Sequence, residues 1–343
     1  MLPNLGKSPF GPILEKIQSS PNYIQGAFRN KEKPTPDLKM EHPLKLAYKY
    51  FTVEKDVLPH GKVPVNYTDL NVSASETPSF LWLGHSSYFI FWKKYKILVD
   101  PVFSANASPV FNTNVAFEQT TIYDVNDVPP IDLLILTHDH FDHLDYYSIK
   151  NIHHKVSKIV CAYGMESHLV FWGIPLEKIH SLDWDVSLEI DEEIVITSLT
   201  TRHNSGRTLL RNQTLWSAYS LRLGHRKLFI AGDGGFGKHF EEIGKKYGPF
   251  DFGTIENGQY NTSWPKNHMF PEQSALAASQ LGLKHVVPIH WGRFAISTHT
   301  WNEPIRRFTD AGDDLKLEYS VPLIGQRLMI EDPLKDTRWW DFK

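Results

Sequence analysis

The run His138-Asp139-His140-Phe141-Asp142-His143 puts three imidazoles and two carboxylates into six consecutive residues. That density of nitrogen and oxygen donors suits a pair of divalent metal ions. The run follows Ile131 to Thr137, an apolar segment that reads as a buried strand, so the cluster stands where a strand ends and the chain turns. On such a backbone His138 and His140 can address one ion, while Asp142 and His143, around the bend, can serve a second. A metal-binding helix would instead set its histidines four apart on one face. A histidine-rich surface loop is the plain alternative, and later residues weigh against it. His203 follows Thr197 to Thr201, Asp233 follows Leu228 to Gly232, and His290 follows Val286 to Ile289. Strand ends along one sheet edge converge, and ligand sites in α/β folds collect there. Five histidines and two aspartates can give two ions three or four protein ligands each, share one carboxylate and leave positions for water and substrate.

The elements that must position these residues are legible as short apolar runs alternating with helical patterns. Ser79 to Leu83, Ser87 to Trp92 and Lys96 to Asp100 predict a meander, and Lys158 to Ala162, Lys178 to Leu182 and Glu193 to Thr200 further strands. Leu215 to Leu223 and Lys227 to Ala231 predict a hairpin around Gly224-His225, with Phe252 to Ile255 and His285 to Ile289 as later strands. Helices are expected at Asp145 to His153, Glu166 to Trp172, His239 to Tyr247 and Pro271 to Leu281, the last with proline in its first turn. Two strand-then-helix series imply two packed sheets with helices outside. Residues 1–75, rich in Pro, Asn and Lys and helical only over Pro43 to Phe51, read as an arm wrapping a domain of residues 76–343. The Arg338-Trp339-Trp340 tail is expected to dock on the domain surface.

Composition sets limits. A chain of 343 residues with net charge -3 lacks the basic excess of a general nucleic-acid binder. Its one cysteine, Cys161, lies in an apolar run, reads as a buried thiol and excludes an internal disulfide framework. No apolar stretch has the length of a transmembrane helix, and the N-terminus lacks a signal-peptide pattern. The expectation is a cytoplasmic protein, with peripheral contact to a membrane left open.

The seven residues, in this order, resemble the metallo-β-lactamase superfamily over roughly Ser79 to Met329. The resemblance implies an α/β (α+β) fold, a four-layer αββα sandwich with a two-metal site along one edge. It further implies that His138, His140 and His203 hold the first metal, that Asp142, His143 and His290 hold the second, and that Asp233 bridges them. The oxygen-reducing di-iron branch carries glutamate where this chain has His140, and a nitrogen-rich set favours two Zn2+, with other divalent metals open. Trp82 to Ser87, Asp100 to Ser104 with Ala107-Ser108-Pro109, Arg202-His203 before Leu215-Trp216, and Ile289 to Phe294 are similar to the group containing N-acyl-phosphatidylethanolamine-hydrolysing phospholipase D and its bacterial relatives. Those phospholipases have an apolar stretch where this chain has the more polar Glu256-Asn257-Gly258-Gln259-Tyr260.

The resulting expectation is a zinc-dependent hydrolase of a phosphodiester, including N-acyl-phosphatidylethanolamine or a related phospholipid. A hydroxide shared by two ions about 3.5 to 4 Å apart is the expected nucleophile, with Asp233 fixing the separation and Asp142 orienting the hydroxide. His268, at the place where related phospholipases carry a histidine facing the phosphate, is expected to bind the anion or protonate the leaving group. His85 and Asp100 are candidates for orienting the ligands, and Arg202 and Arg207 for attracting phosphate. A metal-dependent lactone or amide hydrolase is the second reading, and a non-catalytic metal-binding scaffold the third.

Overall fold

The computed structural model describes residues 2–32, 57–110, 112–334 and 338–342. The first element is helix α1 (Gly11–Gln18), followed by a hairpin of β1 (Tyr23–Ile24) and β2 (Ala27–Phe28). One large sheet contains β3 (Ser79–Trp82), β4 (Tyr88–Trp92), β5 (Tyr95–Val99), β6 (Ile131–Leu136), β7 (Val156–Ala162), β8 (Ile179–Leu182) and the late strand β15 (Arg327–Met329), in the order β15-β3-β4-β5-β6-β7-β8. The other contains β9 (Ser187–Asp191), β10 (Ile194–Leu199), β11 (Ala218–Leu223), β12 (Arg226–Ile230), β13 (Phe252–Glu256) and β14 (Val286–Ile289), in the order β14-β13-β12-β11-β10-β9. Helices α2 (Tyr146–Ile152), α3 (Glu166–Phe171), α4 (His239–Tyr247), α5 (Pro271–Leu281) and α6 (Glu303–Asp314) complete it.

The alternation of side chains along each strand divides the first sheet between two cores. Phe80, Tyr88, Ile90, Ile97, Leu133 and Ile135 face the second sheet. Their neighbours Leu81, Phe89, Leu98, Leu134 and Leu136 pack on the other side against Ile149 and Ile152 of α2 and Leu169 of α3. Both faces are covered, which is why these strands read as unbroken apolar runs. The second sheet is covered on its far side by Phe240 and Ile243 of α4, Ala275 and Ala278 of α5, and Ile305 and Phe308 of α6. The layers are therefore helix, sheet, sheet, helix, as expected.

The expected strands and helices reappear within a few residues, and Pro271 opens α5 while Gly282, at φ 69°, ends it in the left-handed region. The expected helix over Pro43 to Phe51 lies outside the described residues. The tail is docked on the domain with its rings inserted: Trp339 and Trp340 are buried, and Trp339 stacks on Trp291 at 5.3 Å. Residues near the N-terminus also enter the core, through Ile17 and Phe28.

Tight packing reaches the backbone at Gly258, where a Cβ would stand 2.2 Å from the carbonyl oxygen of His290. Gly258→Ala is expected to lower stability by roughly 1–3 kcal/mol through overpacking, read as a fall in the thermal midpoint. At Gly61 an added Cβ would meet only a Phe342 ring carbon at 3.6 Å, and Gly61→Ala should leave the midpoint unchanged.

Candidate metal centre

Strand direction brings the chemistry to one edge. β3 and β5 both run antiparallel to β4, and β5 is parallel to β6; β10 and β12 both run antiparallel to β11, and β12, β13 and β14 are parallel. The C-terminal ends of β3, β5, β6, β10, β12 and β14 are followed within a few residues by His85, Asp100, His138, His203, Asp233 and His290; Glu256 is the last residue of β13, and His268 lies further along the connection from β13 to α5.

All seven residues expected as ligands are brought together. His138 Nε2 lies 3.0 Å from His140 Nδ1, and His203 Nε2 lies 3.1 Å from the same atom. Those separations are near the roughly 3.3 Å edge of a tetrahedron around an ion with nitrogen ligands at about 2.0–2.1 Å. A second group forms where His143 Nε2 stands 3.1 Å and His290 Nε2 3.3 Å from Asp233 Oδ2, with Asp142 Oδ2 3.5 Å from His143 Nε2. Asp233 Oδ2 is also 3.8 Å from both His138 Nε2 and His203 Nε2, so one carboxylate oxygen touches both groups.

The inward nitrogens of His143 and His290 are buried and make no hydrogen bond, although each ring is anchored on its other side. His143 Nδ1–H donates to Asp100 at 2.8 Å, and His290 Nδ1 is hydrogen-bonded to Ser86 Oγ at 2.9 Å. His203 Nδ1–H donates to the Asn267 carbonyl at 3.0 Å, and His138 Nδ1–H to Thr137 Oγ1 at 3.0 Å. Rings fixed by the outer nitrogen with the inner one left over are what a metal takes up. Burial pushes His138, His203 and His290 well below the ordinary histidine range, which keeps them neutral. Burial alone would raise Asp142 and Asp233, but neighbouring histidines, His143 foremost, hold both well below the usual carboxylate range. His143 is the exception: burial opposes its charge, but Asp233 and Asp142 outweigh it and raise the ring well above its ordinary value, so it would shed a proton on becoming a ligand, whereas the other four rings and the two carboxylates already have the protonation states that ligation requires.

Three residues at strand ends hold left-handed backbone without being glycine: His85 at φ 53°, Asp100 at φ 39° and His290 at φ 70°. Each such residue costs roughly 1–3 kcal/mol, and such strain is found where a side chain must be aimed. Their contacts match that use. His85 Nε2 is 2.9 Å from Asp142 Oδ2, and Asp100 accepts from Thr137 N, Thr137 Oγ1 and His143.

The expectations for the arginines do not hold. Arg207 is buried, donates to the carbonyls of Asn4, Asp139 and Leu144, and lies over the Phe141 ring, so its guanidinium is spent on holding the loop. Arg202 pairs with Glu32. Glycines around Asp233 serve close approach, because a Cβ would lie 2.3 Å from Ser217 O at Gly232 and 2.0 Å from Lys266 O at Gly235.

Sequence reasoning passed over Glu256 as a member of the site. Its carboxylate is 1 % exposed and takes His268 Nδ1–H at 2.8 Å. Burial lifts Glu256 to about 7. Burial also opposes charge on His268, but the Glu256 bond and charge outweigh it and raise the ring above its ordinary value. The available signal was a glutamate ending the apolar run Phe252 to Ile255, the same pattern that marks Asp233 and His290. The polar stretch 256–260 is buried throughout; Gln259, for one, receives Ile296 N and Ser297 N and donates to the His290 and Phe294 carbonyls. Its polarity mainly braces loops. The cluster opens into a cleft of about 470 Å³ bordered by Phe141, Asp142, Asn204, Trp264, Asn267 and His268.

Comparison with known proteins decides the family. The family description "Beta-lactamase superfamily domain" matches residues 95–291. The chain belongs to the beta-lactamase superfamily. An uncharacterized protein of Mycobacterium tuberculosis is 31% identical over 94% of this chain and 88% of its own length. The N-acyl-phosphatidylethanolamine-hydrolyzing phospholipase D 1 of Caenorhabditis elegans is 28% identical over 77% of this chain and 78% of its own. Among solved structures, the metallo hydrolase Igni18 from Ignicoccus hospitalis shares the fold at TM-score 0.57 and 18% identity, covering 74% of this chain and 97% of that one. This superfamily member has its metallo-β-lactamase fold intact around the cluster, and among the described residues no helix is long and apolar enough to cross a membrane.

Asp100→Asn should leave the fold intact and weaken divalent-metal affinity by about 10–100-fold, measured by calorimetric titration of the metal-free protein, because His143 loses the carboxylate that aims its ring.

Proposed function

We propose that this metal-dependent hydrolase of the superfamily is a two-zinc phosphodiesterase, with phospholipid-derived diesters as its substrate class. His138, His140 and His203 would hold one ion and Asp142, His143 and His290 the other, with Asp233 between them. When bound, the ions supply Lewis acidity toward a phosphoryl oxygen and a water whose pKa is lowered to near 7.

The observation that carries the reading is His268 with Glu256 behind it. The ring borders the cleft, stacks on His290 at 5.2 Å and lies 4.0 Å from Asp233 Oδ2, so it stands beside the cluster without belonging to either group of three. Glu256 favours the protonated ring and fixes its plane, which leaves Nε2–H free to donate. A phosphodiester uses both features: its anionic oxygen gains a cationic donor, and its leaving oxygen a proton source. In the step itself a water gives up one proton to solvent and its oxygen bonds to phosphorus, the phosphorus–oxygen bond to the leaving alcohol breaks, and His268 Nε2–H passes its proton to that oxygen and later regains one from solvent, while Nδ1–H stays hydrogen-bonded to Glu256. Asp142, hydrogen-bonded to His85, keeps one oxygen directed at the cluster, where it orients the attacking water. The phospholipase relatives support the same substrate class. Burial of the 256–260 stretch also removes its polarity as an argument against a lipid.

Elemental analysis paired with a panel of phosphodiesters, phospholipids and lactones tests the reading. About two zinc ions per chain and turnover of diesters over lactones are expected, with Asp233→Asn folded but inactive. Preference for lactones, or bound metal with no turnover on any ester, would select the second or third reading. His268→Ala is expected to lower kcat on diesters by about 10²-fold, and a loss under about tenfold would remove its role. Glu256→Gln should fall between His268→Ala and wild type.

A further inference from the structure

Apart from the catalytic cluster, the least expected feature of the surface is where its bare apolar side chains stand. Leu209 is 101% exposed and Leu210 62%, on a loop whose Thr208 and Arg211 line the cleft. Val110 is 59% exposed on a second loop, whose Ser108 and Pro109 line the cleft from another side. Leu2 and Phe10 are exposed on a third segment that is tied to both loops: Asn4 donates to the Pro109 carbonyl and accepts from Arg207. Two loops at the opening, and a third segment bonded to both, thus carry aliphatic or aromatic tips where water would ordinarily select polar residues.

Charge follows the same outline. Residues 1–14, 103–117 and 204–215 contain Lys7, Arg207 and Arg211 and no Asp or Glu, in a chain with 39 acidic residues and a net charge of -3. Arg207 is consumed internally, as described above. Lys7 lies over the Phe10 ring at 3.9 Å, and Arg211 is exposed at the rim. Among the described residues neither forms an ion pair with a carboxylate. A rim of apolar tips with interspersed cations and no anions matches a layer of negatively charged headgroups over hydrocarbon, since tips can enter the acyl boundary while cations remain at phosphate level. A protein partner fits less well, because the apolar side chains sit on separated tips around a hole and form no single flat patch with a buried anchor.

We infer that the cleft mouth is a docking surface for an anionic phospholipid bilayer, inserted through Leu209, Leu210 and Val110 with Arg211 and Lys7 at the headgroups. The inference deepens the phosphodiester reading, which it uses only for what enters the cleft; adhesion itself needs no turnover.

Co-sedimentation with vesicles of phosphatidylcholine, with and without phosphatidylglycerol, separates the two. Wild type should bind the phosphatidylglycerol vesicles, less so as salt rises, and the double variant L209D/L210D should lose at least about tenfold in partition. Its thermal midpoint and its hydrolysis of a soluble diester, bis(p-nitrophenyl) phosphate, should stay unchanged, and V110D should weaken binding in the same direction. Wild type that ignores both vesicle types, variants that bind as well as wild type, or a dimer in solution that L209D/L210D dissociates would each overturn the docking surface. Vesicle binding that depends on Leu209 and Leu210 with no diester hydrolysis would sustain docking and defeat the phosphodiester reading.

Discussion

Asp100 is where the site and the fold meet. Its carboxylate accepts Thr137 N–H at 2.8 Å, Thr137 Oγ1–H at 2.5 Å and His143 Nδ1–H at 2.8 Å, joining the end of β5 to the turn after β6. Burial raises this group above the usual carboxylate range, and His143 and Thr137 offset that only in part by bonding to its charge. Thr137 in turn receives His138 Nδ1–H, so a single buried carboxylate determines which way two of the ring nitrogens point. An unpaired carboxylate at that depth would cost several kcal/mol, which makes the surrounding hydrogen bonds obligatory and the ring orientations with them.

The remaining geometry follows from parallel strands ending at one edge. Alternation fills the layers between and outside the sheets with Phe, Ile, Leu and Trp, and each strand releases its polar residue only after the core is closed. Left-handed backbone at His85, Asp100 and His290 is tolerated because each side chain is held by a partner once it arrives. Loops then brace one another: Asn30, from the N-terminal segment, donates to His203 O and accepts His203 N–H and Trp216 Nε1–H.

Much of this was legible because the central strands are buried on both faces and announce themselves as apolar runs with a polar terminus. His203, Asp233 and His290 were found that way. β9 and β15 were not, since both are edge strands; β9 keeps only partly buried or exposed positions and β15 has three residues, leaving no apolar run to read. Helix α6 was missed although its face is apolar, because Ile305 and Phe308 are few among charged neighbours. The role of Glu256 was hidden by its polar company: a polar stretch reads as solvent-facing or substrate-facing, and only the structure reveals that it is interior. Arg207 misled for the converse reason, since sequence cannot tell a guanidinium bound to backbone carbonyls from one awaiting an anion.

The central proposal is that seven side chains would hold two metal ions, with Asp233 between them. Anomalous diffraction at the zinc edge from crystals of the metal-loaded protein addresses it directly. The account predicts two peaks about 3.5–4 Å apart, one among His138, His140 and His203 and the other among Asp142, His143 and His290, with Asp233 between. A single peak, or two peaks of which one lies away from these side chains, would contradict it.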